Sequence, residues 1–171
     1  MKKWVKVLLI VTAAILALVI AVSAFAYVTF GEKINAASSV TKLSDRLYYM
    51  EYKGDYGFDE FIGSGGAASE KEMADYIISM MSGGFYKPES EEVKLDFGCS
   101  TLSTYDSDTS LMGRNFDWQG DDGAAMIIHT VPDEGYESYS TTWLDFLGFG
   151  NGWVPESFAE KYMAIAGVYV P

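Results

Sequence analysis

Phe97-Gly98-Cys99-Ser100-Thr101 and Gly113-Arg114-Asn115-Phe116-Asp117-Trp118 stand on either side of a turn signal, Asp106-Ser107-Asp108. Leu95, Phe97 and Cys99 alternate with Lys94, Asp96 and Gly98, residues 102–105 stay extended, and residues 111–116 have the texture of a returning strand. The stretch therefore predicts a β-hairpin. It carries the chain's single Cys. A lone thiol either packs as a small hydrophobe or reacts. Gly98 has no side chain to hinder approach to its own carbonyl, so the Cys99 sulfur can reach the Gly98–Cys99 peptide bond. Attack there gives a thioester, and its hydrolysis leaves Cys99 as a new N-terminus. A free α-amine titrates at about 7.7–8.0. It can take the thiol proton, which unites nucleophile and base in one residue. Arg114 supplies a fixed positive charge for a thiolate, and Asp117 an acceptor that orients an α-ammonium. The same two residues equally fit a plain ion pair at a strand end. Phe116 and Trp118 suit the lining of an acyl pocket, or core packing.

The composition around this hairpin narrows the chemistry. The 171 residues are 49% hydrophobic and 15% aromatic, which is too apolar for a disordered chain and enough for one domain. Twelve Lys plus Arg against 24 Asp plus Glu give a net charge of −12, which argues against nucleic acid as partner, because phosphates need a basic face. One Cys and one His exclude an intrachain disulfide, an Fe–S cluster and multi-Cys or His-rich metal sites. Asp106, Asp108, Ser110 and Asp117 fall at calcium-loop offsets, but Leu111 stands where that loop needs Gly, so a hairpin turn is the better reading. No cofactor and no metal is expected.

The N-terminus is directed to a membrane. Lys2, Lys3 and Lys6 precede an apolar run over residues 7–30, broken only by Thr12, Ser23 and Thr29. As a helix it would extend roughly 36 Å, against about 30 Å of hydrocarbon. The lysines place the remainder outside. Ala24-Phe25-Ala26 is a small-x-small site that fits a cleaved signal peptide, whereas the apolar run beyond it favours an uncleaved anchor. The expected location is the cell membrane, single-pass, or the exterior if the segment is removed. Three of the twelve basic residues lie in this segment, so residues 31–171 keep nine against all 24 acids, a net −15. That charge repels anionic headgroups and keeps a surface soluble.

Residues 31–44 are small and polar and read as a juxtamembrane spacer. The aromatic-dense residues 47–61, interrupted by Lys53-Gly54-Asp55, predict two short strands joined by a turn. Gly63-Ser64-Gly65-Gly66 is a loop with no phosphate-binding motif behind it. Ser69 with Glu72 fits a capping box, Met73, Tyr76, Ile77 and Met80 recur at helical spacing, and Gly83-Gly84 stops that helix. Residues 88–92 are a polar linker. Residues 124–131 and 136–143 read as further strands, with His129 a satisfied core or edge residue, or a base. Residues 144–149 are apolar and broken by glycines, and residues 156–165 suit a helix with Pro155 at its start. Consecutive strands of this kind predict an antiparallel sheet. Residues 168–171 end the chain while it still reads as buried strand, as in a fragment of a longer protein.

The two hairpin motifs together resemble the linear amide C–N hydrolases, the choloylglycine hydrolase and penicillin V acylase family of N-terminal nucleophile hydrolases. Met126-Ile127-Ile128-His129-Thr130, Gly135-Tyr136 and Phe146-Leu147-Gly148-Phe149-Gly150 are similar to its members as well. The resemblance covers residues 97–171. It implies an α+β chain with an αββα sandwich, incomplete here. It also implies Cys99 as nucleophile, Arg114 beside the thiolate and Asp117 holding the α-amine, with a small-molecule acyl amide as substrate. Residues 1–30 would then be anchor or signal, 31–98 a pro-segment or N-terminal subdomain, and 99–171 the first part of the amidase domain. The sequence departs from the family in its long extension before Cys99. The family's oxyanion-hole asparagines and second arginine also match nothing before Pro171. One oxyanion donor is worth roughly 3–4 kcal/mol, so this polypeptide alone is expected to be inactive or very weak. A non-catalytic, membrane-tethered binding domain on the same scaffold is the alternative. The oligomeric state is left open.

Overall fold

The computed structural model describes residues 2–86, 98–106, 108–117, 123–149 and 152–169, and of Glu70, Gly98, Cys99, Phe116 and Asp117 the backbone only. It is α+β. Two units emerge, residues 1–32 and 33–171. The first is the body of helix α1 (Lys3–Ser39), whose apolar side chains are exposed along its length. Its length and hydropathy are those of a helix that crosses a membrane, a criterion a signal sequence also meets.

The second unit is built on a four-stranded sheet, order β1 (Thr41–Ser44), β2 (Leu47–Lys53), β5 (Ala125–Val131), β6 (Ser138–Trp143). The last turn of α1 belongs to this unit, not to a spacer. Ala36, Ala37 and Val40 are buried, and the Ser39 hydroxyl accepts from the Glu51 N–H at 2.9 Å while donating to the Ala36 carbonyl at 2.7 Å. Alanines hide this contact in the sequence, because they carry no strong apolar period.

Strands β2 and β5 alternate buried and half-buried residues. Tyr48, Met50 and Tyr52 stand beside Met126, Ile128 and Thr130 on one face, with Thr142 and Ser140 continuing it onto β6. Leu144, Phe149, Ala164, Ile165 and Val168 close over that face. The sheet is mixed rather than antiparallel: β2 runs parallel to β5. Two helices and a hairpin intervene between them, which gives the chain length to cross over.

After β2 the expected second strand is a helix, α2 (Phe58–Gly63). Gly57 sits at φ 77° and its N–H is accepted by the Asp55 carboxylate at 2.7 Å, a turn that starts a helix rather than a hairpin. Helix α3 (Glu70–Met81) begins at Ser69, whose hydroxyl accepts from the Glu72 N–H. The Glu72 carboxylate accepts from the Ala68 N–H at 2.7 Å instead of from Ser69, so the box is closed one residue early. Gly83 and Gly84, both at positive φ, end the helix.

Strands β3 (Gly98–Tyr105) and β4 (Ser110–Asp117) form a separate antiparallel hairpin, turned by the Asp106 and Thr109 backbones. The expected extended residues 93–97 and the linker at 88–92 lie outside the described residues. Residues 144–147 form a 3-10 turn, and helix α4 (Phe158–Ala164) is capped by Ser157, with Pro155 buried ahead of it. A second 3-10 turn, Ile165–Val168, takes in the first residue of the expected buried strand at 168–171, whose residues 170 and 171 lie outside the described residues. Gly167 is what allows it. A Cβ there would meet Thr142 Cγ2 at 2.7 Å, Ile128 Cδ1 at 3.1 Å and Met126 Cε at 3.2 Å, so the turn backbone lies directly on the sheet.

Two outcomes follow from this packing. Gly167→Ala should cost about 1–3 kcal/mol by overpacking a rigid face, read as a lowered urea midpoint. Glu160 accepts from the Ser157 N–H and the Trp153 indole, both at 2.6 Å, and these bonds lower its pKa from 4.5 to about 2. The stabilisation is complete above about 4.5 and is lost as pH falls through about 2. Circular dichroism should show acid weakening of the native state in that window, diminished in Glu160→Gln.

Candidate active site

The β3–β4 ladder fixes the register of the sequence motifs. Gly98 is opposite Asp117, Cys99 opposite Phe116, and Thr101 opposite Arg114. In an antiparallel ladder opposite residues share a face, so the Cys99, Thr101, Arg114 and Phe116 positions fall on one face and Gly98 and Asp117 on the other. Arg114 is the diagonal neighbour of Cys99, a relation that spans roughly 7–8 Å. Five of the six residues singled out by the motif thus lie at the open end of a single hairpin. The sixth, Trp118, lies outside the described residues.

The Arg114 side chain is half-buried, and its Nη1 donates to the Thr141 carbonyl of β6 at 2.8 Å. The face that carries Arg114 therefore abuts the outer face of the four-stranded sheet. A cleft of about 540 Å³ separates the two near the hairpin turn, lined by Tyr105 and Met112 on one side and Ile127, Tyr139 and Thr141 on the other. Among the hairpin side chains described, all but Arg114 are exposed, Leu102 73% and Tyr105 87%.

A second polar group occupies the same outer face of the sheet. His129 stacks on Tyr139 with ring centroids 4.4 Å apart. Its Nδ1 lies 3.3 Å from the Tyr49 hydroxyl and 3.5 Å from the Glu51 carboxylate, and its Nε2 lies 3.2 Å from Glu137. His129 is thus held on both nitrogens, with a side chain only 12% exposed. Lys53, 2.8 Å from Glu51, holds that carboxyl below its usual range, and burial raises the Tyr49 hydroxyl. The sequence named His129 but not these partners. Alternation along β2 does place Tyr49 and Glu51 on one face, but only the parallel register sets Glu51 beside His129.

Among the described residues no group of three or more His, Cys, Asp or Glu is placed to hold a metal ion. Comparison of the chain with protein-family models, with curated proteins and with solved structures finds no match.

The Arg114 bond ties the hairpin to the sheet, and charged hydrogen bonds of this kind are worth about 1.5–3 kcal/mol. Arg114→Met should release the hairpin, with amide exchange at residues 101–105 and 110–114 rising at least tenfold while β2 and β5 amides stay protected.

Proposed function

We propose that this chain is the nucleophile-bearing part of a cysteine amidase of the N-terminal nucleophile class, acting on linear, non-peptide amides from outside a membrane. The observation that carries the reading is the hairpin register, in which the Gly98–Cys99 junction stands across from Asp117 with Arg114 diagonal to Cys99. Helices on the inner face of the sheet and the hairpin against its outer face support the first layers of an αββα sandwich as the finer fold.

Activation begins when the Cys99 thiol adds to the Gly98 carbonyl carbon. The C–N bond breaks, the α-amine gains the proton, and a thioester remains. Water hydrolyses it to a Gly98 carboxylate and a free thiol. In turnover the α-amine takes the thiol proton, and the sulfur attacks a substrate amide. The amine product leaves with that proton, and water then releases the acid. Arg114 stabilises the thiolate and Asp117 orients the α-ammonium. This reading assigns Phe116 and Trp118 to the acyl pocket.

Cleavage need not separate the two pieces. Strand β2, from the segment before Cys99, is a central strand of the same sheet as β5 and β6. Its Tyr48, Met50 and Tyr52 are at most 2% exposed. Residues 47–53 are held by a full parallel ladder and a shared core.

A second reading, a tethered domain without catalysis, is favoured by one contact: the Arg114 guanidinium already serves the Thr141 carbonyl. Intact-mass analysis of the full-length protein separates the two. The amidase reading expects two fragments cut at Gly98–Cys99 that co-purify until denaturant is added, and an uncut Cys99→Ala. An uncut wild-type chain whose thiol resists alkylation in the folded state overturns it.

A further inference from the structure

A cavity of about 300 Å³ lies on the inner side of the sheet, across the β-layer from Arg114. Its walls are Tyr56, Phe61, Met73, Tyr76, Val168 and Tyr169. Thr130, Ser138 and Ser140 of β5 and β6 contribute hydroxyls at its base. This volume is at the small end of ligand sites, and too large for an ordinary packing void.

The walls are fixed in advance. The Tyr76 hydroxyl donates to the Gly57 carbonyl at 2.7 Å and locks α3 to the turn before α2. Phe61 and Tyr76 meet at 4.8 Å between ring centroids, and Tyr169 meets Tyr76 edge-on at 6.5 Å, the offset geometries that aromatic rings prefer. At the base, the Thr130 and Ser138 hydroxyls bond each other. No charged side chain is found among the described residues that line the cavity, so a charged ligand would lose its hydration with nothing in return. Aromatic walls with hydroxyls at one end match a flat molecule with one polar atom.

We propose that this cavity is a binding site for a neutral one- or two-ring aromatic molecule bearing a single hydroxyl or carbonyl, its rings against the wall formed by Phe61, Tyr76 and Tyr169 and its polar atom on the Ser138 and Ser140 hydroxyls. The site is independent of amide hydrolysis, and its test involves no turnover.

The full chain in detergent micelles is irradiated with benzophenone, a two-ring molecule with a single carbonyl, and the adducts are mapped by peptide mass spectrometry. Saturable labelling in peptides containing Phe61, Met73 or Val168 is expected. Excess 2-naphthol should suppress it at least tenfold, and 2-naphthoate should not. Ser140→Phe, which fills the base, should reduce labelling at least tenfold. Should that variant fail to fold, Ser140→Ala carries the test: 2-naphthol should compete roughly threefold to tenfold more weakly, with naphthalene unchanged. Labelling that does not saturate, or that falls on residues 7–30 through partition into the micelle, overturns the proposal. So does equal competition by 2-naphthoate.

Discussion

The second unit depends on the parallel pairing of β2 with β5. Seven residue pairs run from Leu47–Ala125 to Lys53–Val131. Every second pair, from Tyr48–Met126 to Tyr52–Thr130, is buried against the 3-10 turns and the end of α1. A parallel pair cannot be closed by a tight turn, so everything between the two strands is an excursion from one ladder. The excursion holds α2, α3 and the hairpin, and thereby the candidate active site and one wall of the aromatic cavity, Tyr56, Phe61, Met73 and Tyr76.

That ladder also gives the two faces of the sheet different chemistry. The inner face is apolar and capped, with Gly167 bringing a turn backbone into contact. The outer face carries charge: His129 bridges carboxylates from β2 and from the β5–β6 connection, and Arg114 reaches down from the hairpin to β6. Polar groups on a half-open face keep their hydrogen bonds without full desolvation, which is why His129 can hold two acidic neighbours at little cost. The hairpin lies against this outer face. The inner cavity is shielded from it by the β-layer.

Much of the local structure was legible. Ser69 with Glu72 and Gly83-Gly84 bracketed α3, and the apolar run marked the body of α1. The turn at Asp106 set the hairpin, and hence the Cys99, Arg114 and Asp117 register, because a hairpin is a local object whose turn determines its pairing. Other elements misled. Phe58, Phe61 and Ile62 suit a strand or a helix, and Asp55 with Gly57 decided for the helix through one capping bond. Ala36 and Ala37 gave no apolar stripe, though they are among the most buried residues.

By itself the sequence determined the candidates for reactive chemistry, the apolar N-terminal helix, and the hairpin that brings Gly98, Cys99, Arg114 and Asp117 together. All of these rest on contacts between near neighbours in the chain. Only the tertiary structure decided that β2 lies parallel to β5, that Arg114 bonds Thr141, that Glu51 and Glu137 flank His129, and that aromatic side chains from three segments enclose a cavity. Apart from Glu137 with His129, eight positions apart across the β5–β6 connection, those contacts join residues well separated along the chain. No period or spacing encodes them, because they are fixed by how whole faces pack and not by the order of residues along any one of them.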